Sequence, residues 1–110
     1  MYEIEEYVTE TGESPFAEWL KGVRDINAKK KILVRIRRAS LGNLGDWKSL
    51  ENAKGIFEMR EHCGAGYRIF FSFVGKKLIL LLAGSDKGGQ ERTITRVKQY
   101  LDDYHRRIKL

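Results

Sequence analysis

Four side chains able to handle a phosphate lie within one stretch of the chain: Arg60, His62, Arg68 and Lys87. Arginine and lysine hold anionic oxygens, arginine with a planar fork that engages two at once. An imidazole titrates near neutrality and can take a proton from a hydroxyl. Together these groups suit the gripping of a phosphodiester and the activation of a hydroxyl beside it. The residues between them decide whether they meet. Gly55–Phe73 and Leu78–Lys87 read as adjacent strands, in which successive side chains alternate faces. Glu58, Arg60 and His62 then share one face, with Phe57 and Met59 on the other. On the next strand Arg68, Phe70 and Ser72 share a face, opposite Tyr67, Ile69 and Phe71. Gly64-Ala65-Gly66 supplies a hairpin loop with glycines free to take positive φ. A hairpin centred on Ala65 brings Arg60 and Arg68 within a few residues of cross-strand register.

Two arginines side by side repel unless an anion lies between them. A bound phosphate is one such anion; ion pairing with Glu58 and Glu61 is the alternative. Lys87 follows the apolar run Leu78–Ala83 through Gly84-Ser85-Asp86, at a strand end where the scaffold fixes its direction. Taken alone it reads as an exposed lysine beside Asp86. His62 is the candidate base on chemical grounds, with Glu58 and Glu61 as rivals, although a lone histidine is more often structural. His105 falls on a surface helix position. Cys63 has no nucleophilic partners nearby, and the Gly-Ala-Gly loop is no nucleotide motif because no helix follows it.

The positioning elements follow from periodicity. Residues 2–9 read as a first strand. Ser14-Pro15 places an N-cap before a first-position proline, so a helix is expected from there to about Asp25, burying Phe16, Trp19, Leu20 and Val23. Asn27 can cap a second helix that buries Ala28, Ile32, Ile36 and Ala39, and the two should form an antiparallel hairpin. A short strand at Trp47–Leu50 precedes a meander of Ile56–Met59, Tyr67–Phe73 and the central strand Leu78–Ala83. Ile94, Val97, Leu101, Tyr104 and Ile108 mark a closing helix. The expected class is α+β: an N-terminal strand, a helical hairpin, an antiparallel meander and a C-terminal helix in a single domain spanning 1–110.

At 110 residues and 42% hydrophobic, the chain suits one modest core. No apolar run approaches a membrane span, and the acidic N-terminus is unlike a signal peptide. One cysteine and two histidines make a poor zinc set. A cytoplasmic protein without metal, cofactor or membrane attachment is expected. The net charge of +6 is unevenly spread. Acids dominate residues 1–21, whereas Arg24, Lys29, Lys30, Lys31, Arg35, Arg37 and Arg38 crowd residues 24–38, mostly on the second helix. Such clustering favours a polyanionic partner, nucleic acid or acidic protein; a solvated helix face is the plainer explanation.

The runs Gly-Ile-Phe-Glu-Met-Arg60, Gly-Ala-Gly-Tyr-Arg68-Ile-Phe-Phe and Leu-Leu-Leu-Ala-Gly-Ser-Asp-Lys87 resemble the RelE/ParE toxin superfamily. They are most similar to its HigB-like addiction module killer proteins, which include phage-derived members. The likeness extends to the Ser-Pro-Phe helix start and the Gly-Asn-Leu-Gly-Asp turn. It implies a RelE-like fold and a type II toxin-antitoxin toxin that cleaves messenger RNA on the ribosome without a metal. It also implies a cognate antitoxin, often of helix-turn-helix type. Arg68 would match the hairpin arginine that stabilises the transition-state phosphate, and Arg60 a nearby basic position. Lys87 would stand where relatives place a polar group for charge stabilisation or leaving-group protonation. Two departures concern Ile56 and Glu58, where some relatives carry lysines, and Gln90–Thr93, which lacks their tyrosine.

A gyrase inhibitor of the ParE kind shares that fold and needs no nuclease chemistry. A plain RNA-binding module is a third possibility. For the nuclease, Lys29, Lys30, Lys31, Arg35, Arg37 and Arg38 are the candidate ribosomal RNA contacts, while Arg60, Arg68, Lys87 and His62 are the candidate catalytic set.

Overall fold

The computed structural model describes residues 1–108. Its elements are β1 (Glu3–Glu6), α1 (Pro15–Lys21), α2 (Ile26–Ser40), β2 (Trp47–Ser49), β3 (Phe57–Glu61), β4 (Tyr67–Val74), β5 (Leu78–Asp86) and α3 (Gln90–Ile108). The strands form one sheet in the order β1-β5-β4-β3-β2. The meander from β2 to β5 is antiparallel, as its short glycine turns require. β1 instead adds in parallel to β5, with Ile4 opposite Ile79, so the sheet is mixed. That departs from the expected all-antiparallel sheet. The reason is connectivity: both helices lie between β1 and the meander, which lets β1 return to the far edge.

Helix boundaries follow local hydrogen bonding. Ser14 caps α1 by accepting from Ala17 N at 3.1 Å. α1 ends at Lys21, short of the expected Asp25, because Asp25 leaves the helical conformation to cap α2. Its Oδ1 accepts from Asn27 N at 3.0 Å and Ala28 N at 3.2 Å. Asp25, not Asn27, is therefore the cap. Asn27 lies two residues too late, its own N–H being one of those satisfied.

The sheet is covered on both faces. Phe16, Ile32 and Ala39 from α1 and α2 pack on Met59, Ile69, Phe71, Ile79 and Leu81. Val97 and Leu101 of α3 pack on Phe70, Leu80 and Leu82. β5 is thus doubly covered, as its apolar run implies, but the middle strand of the five is β4, because β1 adds only one strand beyond β5. In α3 the stripe holds through Tyr104 but not to Ile108, which is exposed. There the helix has run past the end of β1, and Arg107 reaches the Val8 carbonyl instead.

A bulge between Phe70 and Phe71 in the β4–β5 ladder decides which side chains share a face. Leu82 is the extra residue, so beyond it the parity of β5 reverses. Gly84 then faces α1, and Ser85 joins Arg68 on the α3 side. A methyl group on Gly84 would overlap the Trp19 indole. Gly84→Ala should destabilise the domain by roughly 1–3 kcal/mol through overpacking, read as a lower urea midpoint.

Tyr7 ties β1 to α3 by donating its hydroxyl to Asp103 Oδ2 at 2.6 Å. Burial, reinforced by the Asp103 hydrogen bond and charge, pushes its pKa up to about 12. The neutral phenol is thus favoured by folding. Its contribution is complete below pH ~10, the unfolded value, and is lost as pH rises toward 12. Tyr7→Phe should lose less stability than wild type between those limits in urea titrations.

Candidate active site

The β3–β4 hairpin sets the site. Gly64 and Gly66 both take positive φ, 57° and 84°, and let the chain reverse between Glu61 and Tyr67. In the resulting register Arg60 stands directly opposite Arg68. Ser85 pairs with Arg68 across the next strand boundary. Lys87 leaves the end of β5 just beyond. Arg60, His62, Arg68 and Lys87 together line one open cleft of about 250 Å³, with Tyr67 and the glycine loop closing its sides. All four residues singled out from the sequence therefore meet.

Both arginines have carboxylate partners. Arg68 pairs with Glu58, whose side chain has no exposed surface. Arg60 donates to Asp46 Oδ1 at 2.9 Å. Ion pairing within the sheet, the alternative to a bound anion, is thus realised through Glu58 but not through Glu61. The Glu61 carboxylate instead accepts from Cys63 N at 3.2 Å. A guanidinium carries five donors, so one ion pair leaves others for a ligand. Lys87 has no ion-pair partner among the described residues and is exposed.

Asp46 is the site residue that sequence reasoning missed. It closes the Gly42–Asp46 turn, 16 residues before His62, and its only signal is an acid at the entry to an edge strand. Its backbone is clamped: the carbonyl accepts from Arg60 N at 2.9 Å and from the Arg35 guanidinium at 3.0 Å. Its Oδ2 lies 2.6 Å from His62 Nε2. The hydrogen bond from His62, then that from Arg60, holds the Asp46 carboxyl below the usual carboxylate range. An ionised Asp46 requires a proton on Nε2, which leaves Nδ1 as the basic nitrogen of the neutral ring. With 75% of its side chain exposed, His62 is open to a ligand. Glu58 is unsuited as a rival base, being enclosed and bound to Arg68.

The basic helix is a separate feature. α2 packs on the sheet face opposite α3, whereas Arg60 and Arg68 project on the α3 side. Lys30, Lys31, Arg37 and Arg38 are exposed, and Lys29 is half-buried. Arg35 is not a free cation for RNA. It donates to the carbonyls of Leu44 at 3.1 Å and Asp46 at 3.0 Å, and so fastens the loop that carries Asp46. Among the described residues, no three His, Cys, Asp or Glu side chains converge as a metal site would need. No helix there is long and apolar enough to cross a membrane.

No family model matches the sequence. Over 83 residues the chain is 41% identical to an uncharacterized protein of Haemophilus influenzae, covering 76% of this chain and 82% of that protein. The chain belongs to that protein's family. The family membership carries no activity with it, so function rests on the cleft.

Asp46→Asn should release both His62 and Arg60. Because folding lowers the Asp46 pKa, its stabilisation is present above pH ~4 and is lost as pH falls through the lowered value. Urea denaturation should show wild type ahead of Asp46→Asn at pH 7, with the gap closing in strong acid.

Proposed function

We propose that this protein is a toxin of the RelE/ParE superfamily, HigB-like in kind, that cleaves messenger RNA on the ribosome. The observation that carries the reading is the cleft where Arg60, Arg68 and Lys87 converge beside a histidine oriented by Asp46. RNA is the fitting substrate because its ribose 2′-hydroxyl is an internal nucleophile needing only a base of moderate strength. Nδ1 of His62 takes the 2′-hydroxyl proton as the oxygen attacks the adjacent phosphorus. Arg60 and Arg68 bind the non-bridging oxygens as charge accumulates on them. Lys87 stabilises or protonates the departing 5′-oxygen, leaving a 2′,3′-cyclic phosphate and a free 5′-hydroxyl. A protein-bound metal or cofactor has no step in this scheme. An antitoxin, helix-turn-helix in type by the same resemblance, would hold the toxin inactive.

The test is 5′-end mapping of a defined messenger in a cell-free translation reaction. Wild type should create new ends only while the messenger is translated. His62→Gln should reduce them by about 10²–10⁴-fold, and Lys87→Ala by about 10²-fold. Both positions are exposed, so the fold should tolerate these changes. Arg68 is left intact because it also neutralises Glu58. One observation favours a gyrase inhibitor of the ParE kind: both arginines already have protein partners, as a binding surface would allow. An intact messenger together with inhibited gyrase supercoiling would establish that reading instead.

A further inference from the structure

The sheet face beneath α1 and α2 ends in aromatic rings that the helices leave partly open. Trp47 on the edge strand β2 is 41% exposed, and Tyr2, Phe57 and Phe73 are half-buried beside it. The rings touch in sequence: Trp47 to Phe57 at 5.7 Å, Phe57 to Phe73 at 5.1 Å and Phe73 to Tyr2 at 5.6 Å between centroids. These contacts are tilted or edge-on, so they brace the exposed Trp47 indole on a rigid sheet, where a flat ring can stack on it.

Cations border this row at both ends. Arg35 is bonded to the Asp46 carbonyl, immediately before Trp47, which fixes one flank of α2 against this corner. Lys31 and Arg38, at i−4 and i+3 from Arg35, lie on that same flank and are exposed. At the other end Tyr2 N donates to the Ser40 carbonyl at 2.8 Å, and Glu3 N to the Lys77 carbonyl at 2.6 Å. The exposed turn carrying Lys76 and Lys77 therefore adjoins Tyr2. Glu3, the neighbouring acid, alternates to the opposite face of the sheet.

We infer that this corner is a second RNA contact, where an unpaired base stacks on Trp47 and the flanking phosphates meet Arg38 and the Lys76–Lys77 turn. The inference rests on the RNA reading of the cleft and extends it. Aromatic faces bordered by cations match a polyanion with flat bases. An apolar partner helix would find its groove elsewhere, between Phe16, Leu20, Leu33 and Ile36. Asp46 turns toward the cleft while Trp47, its neighbour, turns to the other face. β2 is the edge of the sheet, so a single strand passing over that edge touches both surfaces.

The test is the affinity of a fluorescein-labelled 2′-O-methyl oligoadenylate ten-mer, which lacks the nucleophile and is not cut. Anisotropy titrations at several salt concentrations compare wild type, Trp47→Leu, Trp47→Phe and the pair Lys76→Ala/Lys77→Ala. Trp47→Leu keeps apolar bulk but loses the π face, and should weaken binding about tenfold. Trp47→Phe should restore most of the affinity. The lysine pair should lower the salt slope. Equal affinity of wild type and Trp47→Leu overturns the inference. So does equal loss in the leucine and phenylalanine variants, or a wild type that binds an acidic peptide and not the ten-mer. Binding of the ten-mer needs no catalysis. Failure of messenger cleavage with Trp47-dependent binding intact would sink the nuclease and leave the platform standing. The reverse pattern would do the opposite.

Discussion

Glu58 has no exposed surface, and a carboxylate taken out of water keeps its charge only if a cation meets it. Arg68 is that cation. Glu58 stands opposite Phe70 in register, so Arg68 is its diagonal neighbour, two residues along the facing strand. A one-residue slip would move Arg68 to the other face and strand the carboxylate, at a cost on the order of 3–5 kcal/mol. The pair therefore pins the β3–β4 register, and the register in turn sets Arg60 against Arg68. Glu58, Gln90 and Glu91 line one cavity between the sheet and the start of α3. One ion pair thus links hairpin and cleft.

The second constraint is the bulge at Leu82. Without it, strict alternation would turn Ser85 toward α1 and Gly84 toward α3. The extra residue reverses this, so the Trp19 indole meets a glycine and the row Arg60–Arg68–Ser85 continues across the sheet. Lys87 then emerges at the end of β5 next to the arginines. The cleft depends on this parity change as much as on the hairpin turn.

What the sequence disclosed follows the range of the forces involved. Local signals were legible: the Ser14-Pro15 helix start, the glycine hairpin, the apolar run of β5 and the stripe of α3. They sufficed to bring Arg60, His62 and Arg68 onto one hairpin. Strand alternation could not reveal a bulge, because the run Leu78–Ala83 is apolar on both faces and shows no break of period. The parallel pairing of β1 was equally hidden, since β1 and β5 are separated by the rest of the domain. Asp46 left no trace of its role because its partners, Arg60 and His62, reach it across the β2–β3 pair. In the sequence Arg35 is one more cation in a basic helix. Only the fold shows that its neighbours in space are carbonyls.

Arg35 and Asp46 together connect the two faces of the sheet. Arg35 on one side holds the carbonyls of Leu44 and Asp46. The Asp46 side chain on the other side holds Arg60 and His62. Gly45, between them, takes φ of +64°, and a Cβ there would press on the Arg35 guanidinium at 2.8 Å. The loop is thus shaped to let an arginine from beneath the sheet grip the backbone of the residue that holds His62 above it. The basic helix and the cleft are different surfaces, joined by the hydrogen bonds that run from Arg35 through Asp46 to His62.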